Sequence, residues 1–240
     1  MNGKKVLIVK NIDREGPGFI EAILKENDIP YDIFDLSKGQ IFPDPTDYMS
    51  LIVLGGPDSA NDSTLKMKNE IRRIREAVNF GLPYLGICLG AQTLVKAMGG
   101  EVHKNFIKEI GWRDPEGNYF EMELTDEGKN DQIFKGIKSP MRIFHLHGET
   151  VKLGHGMSLL ATGKYCKNQV IKVGGSAYGF QGHLELTGSL LDEWILKDPD
   201  LKSVNADSLR EDFNNIKEEY GRNRKKILTN FLELTLRVRA

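Results

Sequence analysis

The chain has 240 residues, of which 40% are hydrophobic and 28% charged, and its formal net charge is −1. These values are typical of a globular protein with one large domain or one domain with an appendage, and a charge this close to zero provides no overall field that would attract nucleic acid or an anionic membrane. The apolar stretches are far shorter than a membrane span and the first residues lack a signal-peptide pattern, so we expect a cytoplasmic protein without a membrane partner.

The first hundred residues alternate between short apolar runs and segments with helical spacing. Residues 63–80, for example, place Leu65, Ile71, Ile74 and Val78 on one stripe of an amphipathic helix. Strands connected through helices predict an α/β fold, in which helices cover a parallel sheet. The predicted strands are residues 5–9, 31–34, 51–54 and 82–87, and the predicted helices are residues 19–24, 63–80 and 91–98.

The stretch from residue 101 to residue 181 has a different pattern, in which short strands are separated by turns. Such strands are typical of antiparallel or mixed additions to the edge of a sheet. The predicted strands are residues 119–124, 141–144, 158–161, 169–173 and 177–181.

The last fifty residues are polar and helical, with helices predicted at 190–196 and 222–238. We expect residues 188–240 to form a C-terminal helical extension that packs on a domain formed by residues 1–187. The basic run at 222–226 fits a solvated helix face better than a nucleic-acid site. The last helix also has an apolar stripe that either covers the sheet or contacts another subunit, which leaves oligomer formation open. The stripe consists of Ile227, Phe231, Leu234 and Val238.

The most informative segment runs from Leu85 to Gln92, where a buried strand ends at a Gly-x-Cys-x-Gly turn and a helix begins. A sharp turn of this kind projects its central residue, Cys88, into a crevice, and Gly86 and Gly90 leave room for the tight backbone. The N-terminus of the following helix favours thiolate over thiol, and the thiolate is the nucleophile. The pattern favours a reactive Cys88 over an ordinary core cysteine.

A thiol nucleophile needs a base, and the base needs a group that orients it. Among the five histidines, His183 is the best candidate because it follows an apolar strand and precedes Glu185 by two residues. In extended backbone such residues face the same side, so Glu185 can hold the imidazole while a ring nitrogen faces Cys88. A surface His–Glu pair at a strand end is the alternative.

The remaining thiol and imidazoles are interpreted as structural or solvated. Cys166 lies in a turn without flanking glycines, and His103 and His155 are expected in solvated loops. His145 and His147 could face one side of a strand, but no third ligand has the spacing of a metal site. We therefore expect no metal.

Five motifs follow one another in an order that resembles class I (triad-type) glutamine amidotransferases. The resemblance is strongest to the stand-alone GMP-synthase-like branch of that family, and it covers roughly residues 4–187. The motifs are Gly55-Gly-Pro57, Gly86-Ile-Cys-Leu-Gly-Ala-Gln92, Glu109-Ile-Gly-Trp112, His145-Leu-His-Gly148 and Gln181-Gly-His-Leu-Glu185.

The resemblance implies a flavodoxin-like three-layer sandwich with a mostly parallel central sheet, and a catalytic triad of Cys88, His183 and Glu185. It implies a hydrolase that releases ammonia and glutamate from glutamine through a thioester, without a metal or organic cofactor. No ATP-pyrophosphatase motif is present, so a synthetase partner would have to accept the ammonia. The other implied site residues are Gly56 and Leu89, whose N–H groups form the oxyanion hole, and Gln92 and the backbone around Leu146 and His147, which help to hold the substrate.

Two departures from the family pattern keep other interpretations open. Gly182 and Leu184 stand where the family usually has an aromatic residue and a proline, and the conformational freedom of glycine predicts a looser segment. One alternative is a γ-glutamyl peptidase that uses the same triad on a peptide such as glutathione. Another is a non-catalytic binding or regulatory module that retains the fold.

Overall fold

Strands and helices alternate through the first hundred residues of the computed structural model, which describes residues 5–237. Seven further strands and three further helices follow. The elements in chain order are β1 (Val6–Lys10), α1 (Gly18–Glu26), β2 (Tyr31–Asp35), β3 (Ser50–Val53), α2 (Leu65–Asn79), β4 (Tyr84–Ile87), α3 (Leu89–Ala97), β5 (Glu101–Gly111), β6 (Glu121–Leu124), α4 (Asp126–Asn130), β7 (Met141–Arg142), β8 (His145–Lys152), β9 (Met157–Gly163), β10 (Val170–Val173), β11 (Ala177–Phe180), α5 (Gly188–Lys197) and α6 (Ala206–Arg237).

The central sheet has nine strands in the order β2-β1-β3-β4-β11-β10-β9-β6-β7. Neighbouring strands run parallel from β2 to β11 and antiparallel from β11 to β7. The predicted α/β fold, with a parallel sheet extended by antiparallel strands, is confirmed. Strands β5 and β8 pair separately as a two-stranded antiparallel ribbon.

Helices cover both faces of this sheet, because successive residues of a strand point to opposite sides. In β1, Val6 and Ile8 join the hydrophobic core beneath α1, α5 and α6. The alternate residues Leu7 and Val9 join a second core beneath α2 and α3. The result is the predicted three-layer arrangement, with an apolar core on each side of the sheet.

Two strands differ from the sequence-based expectation. Strand β5 was not predicted, since few of its residues are buried and its register shifts between Lys104 and Glu109, so its alternation is weak. His103, expected in a loop, lies in β5, although it is exposed. The strand expected at 141–144 is regular only over Met141–Arg142.

The last helix, α6, begins at Ala206 rather than at residue 222. Its first half was not predicted because most of its residues are polar and its apolar residues are few. Of its predicted apolar stripe, Ile227 and Phe231 are buried, whereas Val238 lies outside the described residues. No helix within residues 5–237 is both long and apolar enough to cross a membrane.

The topology brings four loops to one edge of the sheet. Strands β1, β3, β4 and β11 are adjacent and parallel, so their carboxyl ends meet at that edge. In open α/β sheets this is where ligands bind. The residues that follow these four strands include Glu15, Gly56, Cys88 and His183.

Candidate active site

Cys88 occupies a strained turn between β4 and α3, with φ +51° and ψ −106°. Its N–H donates to the carbonyl of Phe180 on the neighbouring strand at 2.8 Å, which fixes the turn against the sheet. A Cβ on Gly86 would overlap the backbone of Gly90, and a Cβ on Gly90 would overlap the carbonyl of Val53. The glycines are therefore required by the close approach of backbones. This packing keeps Cys88 in its strained conformation.

His183 and Glu185 form a buried pair beside this thiol. The imidazole Nδ1 lies 2.7 Å from the Glu185 carboxylate. Burial alone would lower the pKa of His183, but the carboxylate of Glu185 and the interaction with Cys88 outweigh burial and raise that pKa well above its ordinary value. With Nδ1 committed to Glu185, Nε2 is the nitrogen available to Cys88.

Aromatic rings fix the plane of the His183 imidazole. The ring of Trp194, from α5, lies edge-on with its centroid 4.9 Å away, and the ring of Phe144 lies 6.1 Å away. The backbone N–H of His183 also donates to the Phe144 carbonyl at 3.0 Å. Gly182, expected to loosen this segment, instead lies where Ile143 packs, and a Cβ there would overlap the Ile143 side chain.

A cavity of about 360 Å³ opens in front of Cys88, within the usual range of small-molecule sites of about 300–1,000 Å³. The Leu146 carbonyl oxygen and the Gln181 Nε2 each lie 3.7 Å from the Cys88 sulfur. Gln92 is held by hydrogen bonds from its Nε2 to the Glu149 carbonyl at 3.1 Å and to the Gln181 side chain at 3.2 Å. Of the sequence-predicted residues, the cavity is lined by Gly56, Cys88, Gln92, Leu146 and His147.

The other predicted residues, Leu89, His183 and Glu185, are not among those that line the cavity. Leu89 is the first residue of α3, where backbone N–H groups lack helical acceptors, and its N–H has no acceptor within residues 5–237. The Gly56 N–H is likewise without an acceptor in the described part of the chain. The Leu89 side chain is 3.3 Å from a Cβ built on Gly56, so these two donors come from neighbouring residues.

The backbone around His147 was predicted to help hold the substrate, and the His147 imidazole is used inside the protein. Its Nε2 lies 2.8 Å from the Glu109 carboxylate and its Nδ1 2.9 Å from the Glu149 carbonyl. Burial would raise the pKa of Glu109, but His145 and His147 more than offset it, so the pKa is lowered. The pair anchors β5 to β8, and the contact that His147 offers to the cavity is its backbone.

Two clusters within residues 5–237 have the spacing of metal ligands, with donor atoms within 4.8 Å of one another. In the first, Glu109 and His147 are already paired, and the Cys166 sulfur lies 3.2 Å from the Thr150 hydroxyl. His145, which was considered as a ligand, is not in either cluster, and burial lowers its pKa to about 3. The two clusters are Glu109, His147 and Cys166, and Glu15, His183 and Glu185.

Glu15 is a site residue that the sequence analysis missed. Its side chain lines the cavity, is only 4% exposed and leaves Oε2 without a hydrogen bond in the described region. Burial, reinforced by the charge of Glu185 and opposed by His183, raises its pKa to about 7. Its one sequence signal is position, since it follows β1 and directly precedes the turn Gly16-Pro-Gly18.

The connection between α5 and α6 forms the outer wall of the cavity. Asp198 is paired with Arg14 from the loop after β1, and Asp200 is paired with Lys108 of β5 at 2.8 Å. Both carboxylates lie in the predicted C-terminal extension, so that extension contributes directly to the cavity.

Comparison with known proteins gives a consistent result. Residues 20–201 match the family model described as glutamine amidotransferase class-I. The chain is 29% identical over 150 residues to the glutamine amidotransferase-like protein YfeJ of Salmonella typhimurium, covering 60% of each chain. It is 31% identical over 151 residues to a GMP synthase [glutamine-hydrolyzing] of Borrelia garinii, covering 61% of this chain and 25% of that protein. The chain therefore spans less than two thirds of the length of these relatives.

Among solved structures, a glutamine amido transferase from Methylobacillus flagellatus superposes with a TM-score of 0.86 at 26% sequence identity. The superposition covers 97% of this chain and 95% of that one. The likeness therefore includes the C-terminal helices as well as the region matched by the family model.

Proposed function

This chain belongs to the class I glutamine amidotransferase family, and from that premise we propose that it hydrolyses the side-chain amide of glutamine through a thioester on Cys88. One observation carries the proposal. Cys88 is held at a strained turn beside a cavity, next to an imidazole whose other nitrogen is fixed 2.7 Å from the Glu185 carboxylate. This is the arrangement of nucleophile, base and orienting group that acyl transfer requires.

In the first half of the proposed reaction, the Cys88 thiolate attacks the amide carbon. The charge that develops on the amide oxygen is stabilised by the N–H groups of Gly56 and Leu89, and one donor of this kind typically contributes about 3 kcal/mol to the transition state. His183 donates its Nε2 proton to the departing nitrogen. Ammonia leaves, and a γ-glutamyl thioester remains on Cys88.

In the second half, His183 takes a proton from water, and the resulting hydroxide attacks the thioester carbon. The carbon–sulfur bond breaks, glutamate leaves, and the Cys88 thiolate is restored beside the imidazolium. Glu185 keeps the imidazole in one tautomer and orientation through both halves. Neither half requires a metal or an organic cofactor.

The ammonia acceptor is proposed to be a separate synthetase. Support comes from the relative named GMP synthase, of which this chain matches only a quarter. The ammonia would therefore leave the cavity toward a partner that covers its mouth, near the Arg14–Asp198 and Lys108–Asp200 pairs.

The proposal is tested by measuring ammonia and glutamate release from glutamine by the parent, Cys88→Ala and Cys166→Ala. We expect equimolar products from the parent and from Cys166→Ala, and none from Cys88→Ala. Activity that survives in Cys88→Ala would show that the nucleophile is misassigned. Glutathione, assayed in parallel, tests the peptidase alternative, which is favoured if the parent cleaves glutathione faster than glutamine.

A further inference from the structure

The segment from Gln181 to Leu186 is buried throughout, yet it is neither a helix nor a regular strand apart from one bridge between Phe144 and His183. Buried backbone polar groups need partners, and this segment cannot supply them through its own secondary structure. Its hydrogen bonds must come from surrounding elements. Because His183 and Glu185 both belong to the segment, those partners also fix the site.

Three carbonyl groups of this segment accept hydrogen bonds from outside it. The Glu185 carbonyl accepts from the N–H of Phe19, in α1, at 2.9 Å. The His183 carbonyl accepts from the Tyr220 hydroxyl, and the Leu186 carbonyl accepts from the Arg224 guanidinium. Two of the three donors are therefore side chains of α6, one helical turn apart.

Arg224 is an unusual residue to find at this place. It is only 6% exposed and makes no salt bridge within residues 5–237. Its guanidinium lies 3.8 Å from the ring centroid of Phe19 and 4.4 Å from that of Tyr220. Burial lowers its pKa, and the Tyr220 hydroxyl and, to a smaller extent, the charge of Glu185 oppose that shift. A buried cation without a paired carboxylate is expensive to fold, so its presence calls for a role other than stability.

We propose that Tyr220 and Arg224 are positioning residues for the His183–Glu185 pair. They hold the backbone on both sides of Glu185, since Tyr220 donates to the His183 carbonyl and Arg224 to the Leu186 carbonyl. Both residues lie beyond residue 201, where the family match ends. Helix α6 is then part of the catalytic apparatus as well as a cover for the sheet. The proposal rests on the function proposed above, but its test includes a readout that does not.

Three variants separate the contributions. Tyr220→Phe removes one hydroxyl and is expected to lower kcat for glutamine about tenfold, the equivalent of one net hydrogen bond. Arg224→Met removes the charge and the guanidinium N–H donors. We expect kcat to fall about 10²-fold, as for other small misplacements of catalytic groups. Arg224→Lys keeps the charge and one donor and should recover part of that loss. KM should stay unchanged in all three, since Gln92 and Leu146 are not touched.

Matched controls at another contact of the same helix distinguish positioning from simple docking of α6. Tyr119 donates to Asp212 of α6 at 3.0 Å, and Arg113 pairs with the same carboxylate. Tyr119→Phe and Arg113→Met therefore weaken the contact of α6 without reaching the segment that holds His183. Both controls should keep the parent kcat. Equal losses in the controls and in the α6 variants would overturn the proposal.

The rate at which iodoacetamide alkylates Cys88, followed by peptide mass, reports on the thiol–imidazole pair without any glutamine. We expect it to fall in Tyr220→Phe and Arg224→Met and not in the two controls, while thermal unfolding shows that all variants are folded. If the parent releases no ammonia but the alkylation rates follow this pattern, the positioning role stands and the glutaminase proposal fails. Parent-like alkylation and kcat in folded Tyr220→Phe and Arg224→Met would overturn the positioning role.

Discussion

Two groups of one cysteine, one histidine and one glutamate lie buried in this protein, and only one of them is arranged for catalysis. In each group the histidine contacts the glutamate, at 2.7 Å in one and 2.8 Å in the other. The residue types and the histidine–glutamate distance therefore do not distinguish the catalytic group from the other one. We refer to them as the Cys88 group, which comprises Cys88, His183 and Glu185, and the Cys166 group, which comprises Cys166, His147 and Glu109.

The difference lies in which nitrogen of the imidazole is left over. His183 uses Nδ1 for its carboxylate and keeps Nε2 for the thiol. His147 uses Nε2 for its carboxylate and Nδ1 for the Glu149 carbonyl, so neither nitrogen remains for Cys166. The comparison teaches that a histidine serves as a base only when one of its nitrogens is free.

Access and backbone geometry reinforce this difference. Cys88 lines the cavity and has a φ of +51°, whereas Cys166 is fully buried and is not among the residues that line that cavity. Burial, together with the charge of Glu109, raises the pKa of Cys166 to about 11, partly opposed by the Thr150 hydroxyl. The Cys166 group is thus a structural anchor for the β5–β8 ribbon.

The largest predicted effect comes from two separate substitutions, His183→Gln and His147→Gln. Each variant leaves a buried carboxylate unpaired, so both should lose stability to a similar extent, by roughly 3–5 kcal/mol. Only His183→Gln removes the base, and its kcat should fall on the order of 10⁴-fold or more. For His147→Gln we expect at most about 10²-fold, since it acts only through the backbone of the cavity. Equal losses of kcat in the two folded variants would contradict the conclusion that only the Cys88 group is arranged for catalysis.

Alkylation of the native protein is the next test of the contrast. At pH 8 a thiol with a pKa of about 11 is ionised in only about one molecule in 10³, and Cys166 is also shielded from reagent. Iodoacetamide should therefore modify Cys88 alone, and peptide mass mapping identifies the site. Unfolding in denaturant should expose both thiols to the reagent. Faster modification of Cys166 than of Cys88 in folded protein would contradict the account.

The smallest effect concerns two buried glutamates whose surroundings differ. Burial raises the pKa of both Glu15 and Glu70 to about 7. A carboxyl whose folded-state pKa is raised keeps its proton in the native state, so it costs stability as pH rises from about 4.5 to 7. Glu15→Gln and Glu70→Gln should each be more stable than the parent at pH 8, by up to about 3 kcal/mol, and less so at pH 5.

Activity separates these two variants. Glu15 lies beside His183 and Glu185 and lines the cavity, whereas Glu70 accepts a hydrogen bond from Asn11 at 3.0 Å and is not among the cavity residues. Denaturant unfolding at pH 5 and pH 8, with a glutaminase pH profile for each variant, checks both statements. Only Glu15→Gln should change the pH profile. A stability difference that does not depend on pH would mean that Glu15 is ionised throughout.

Local sequence patterns were enough to predict the parallel half of the sheet and, together with the family resemblance, to select the residues of the Cys88 group as candidates. Both depend on short-range features, namely buried strands, a glycine-flanked turn and residues two apart in extended backbone. Glu15 could not be predicted, because its place depends on β1 and β3 lying between β2 and β4 in the sheet. That strand order is a property of the whole fold.

Long-range packing also explains what was missed in the last helix. Tyr220 and Arg224 lie in a stretch rich in polar residues, and their partners are backbone carbonyls of a segment almost forty residues earlier. Carbonyl groups leave no trace in a sequence pattern. The sequence pattern also did not reveal that Glu109 would pair with His147 across the β5–β8 ribbon.

The central claim is that Cys88 carries the acyl group during turnover, and it can be tested by stopping the reaction with acid shortly after mixing with glutamine. The account predicts that the peptide containing Cys88 gains the mass of one γ-glutamyl group, while the peptide containing Cys166 gains nothing. Turnover of glutamine without any such adduct on Cys88, or with the adduct on another residue, would contradict it.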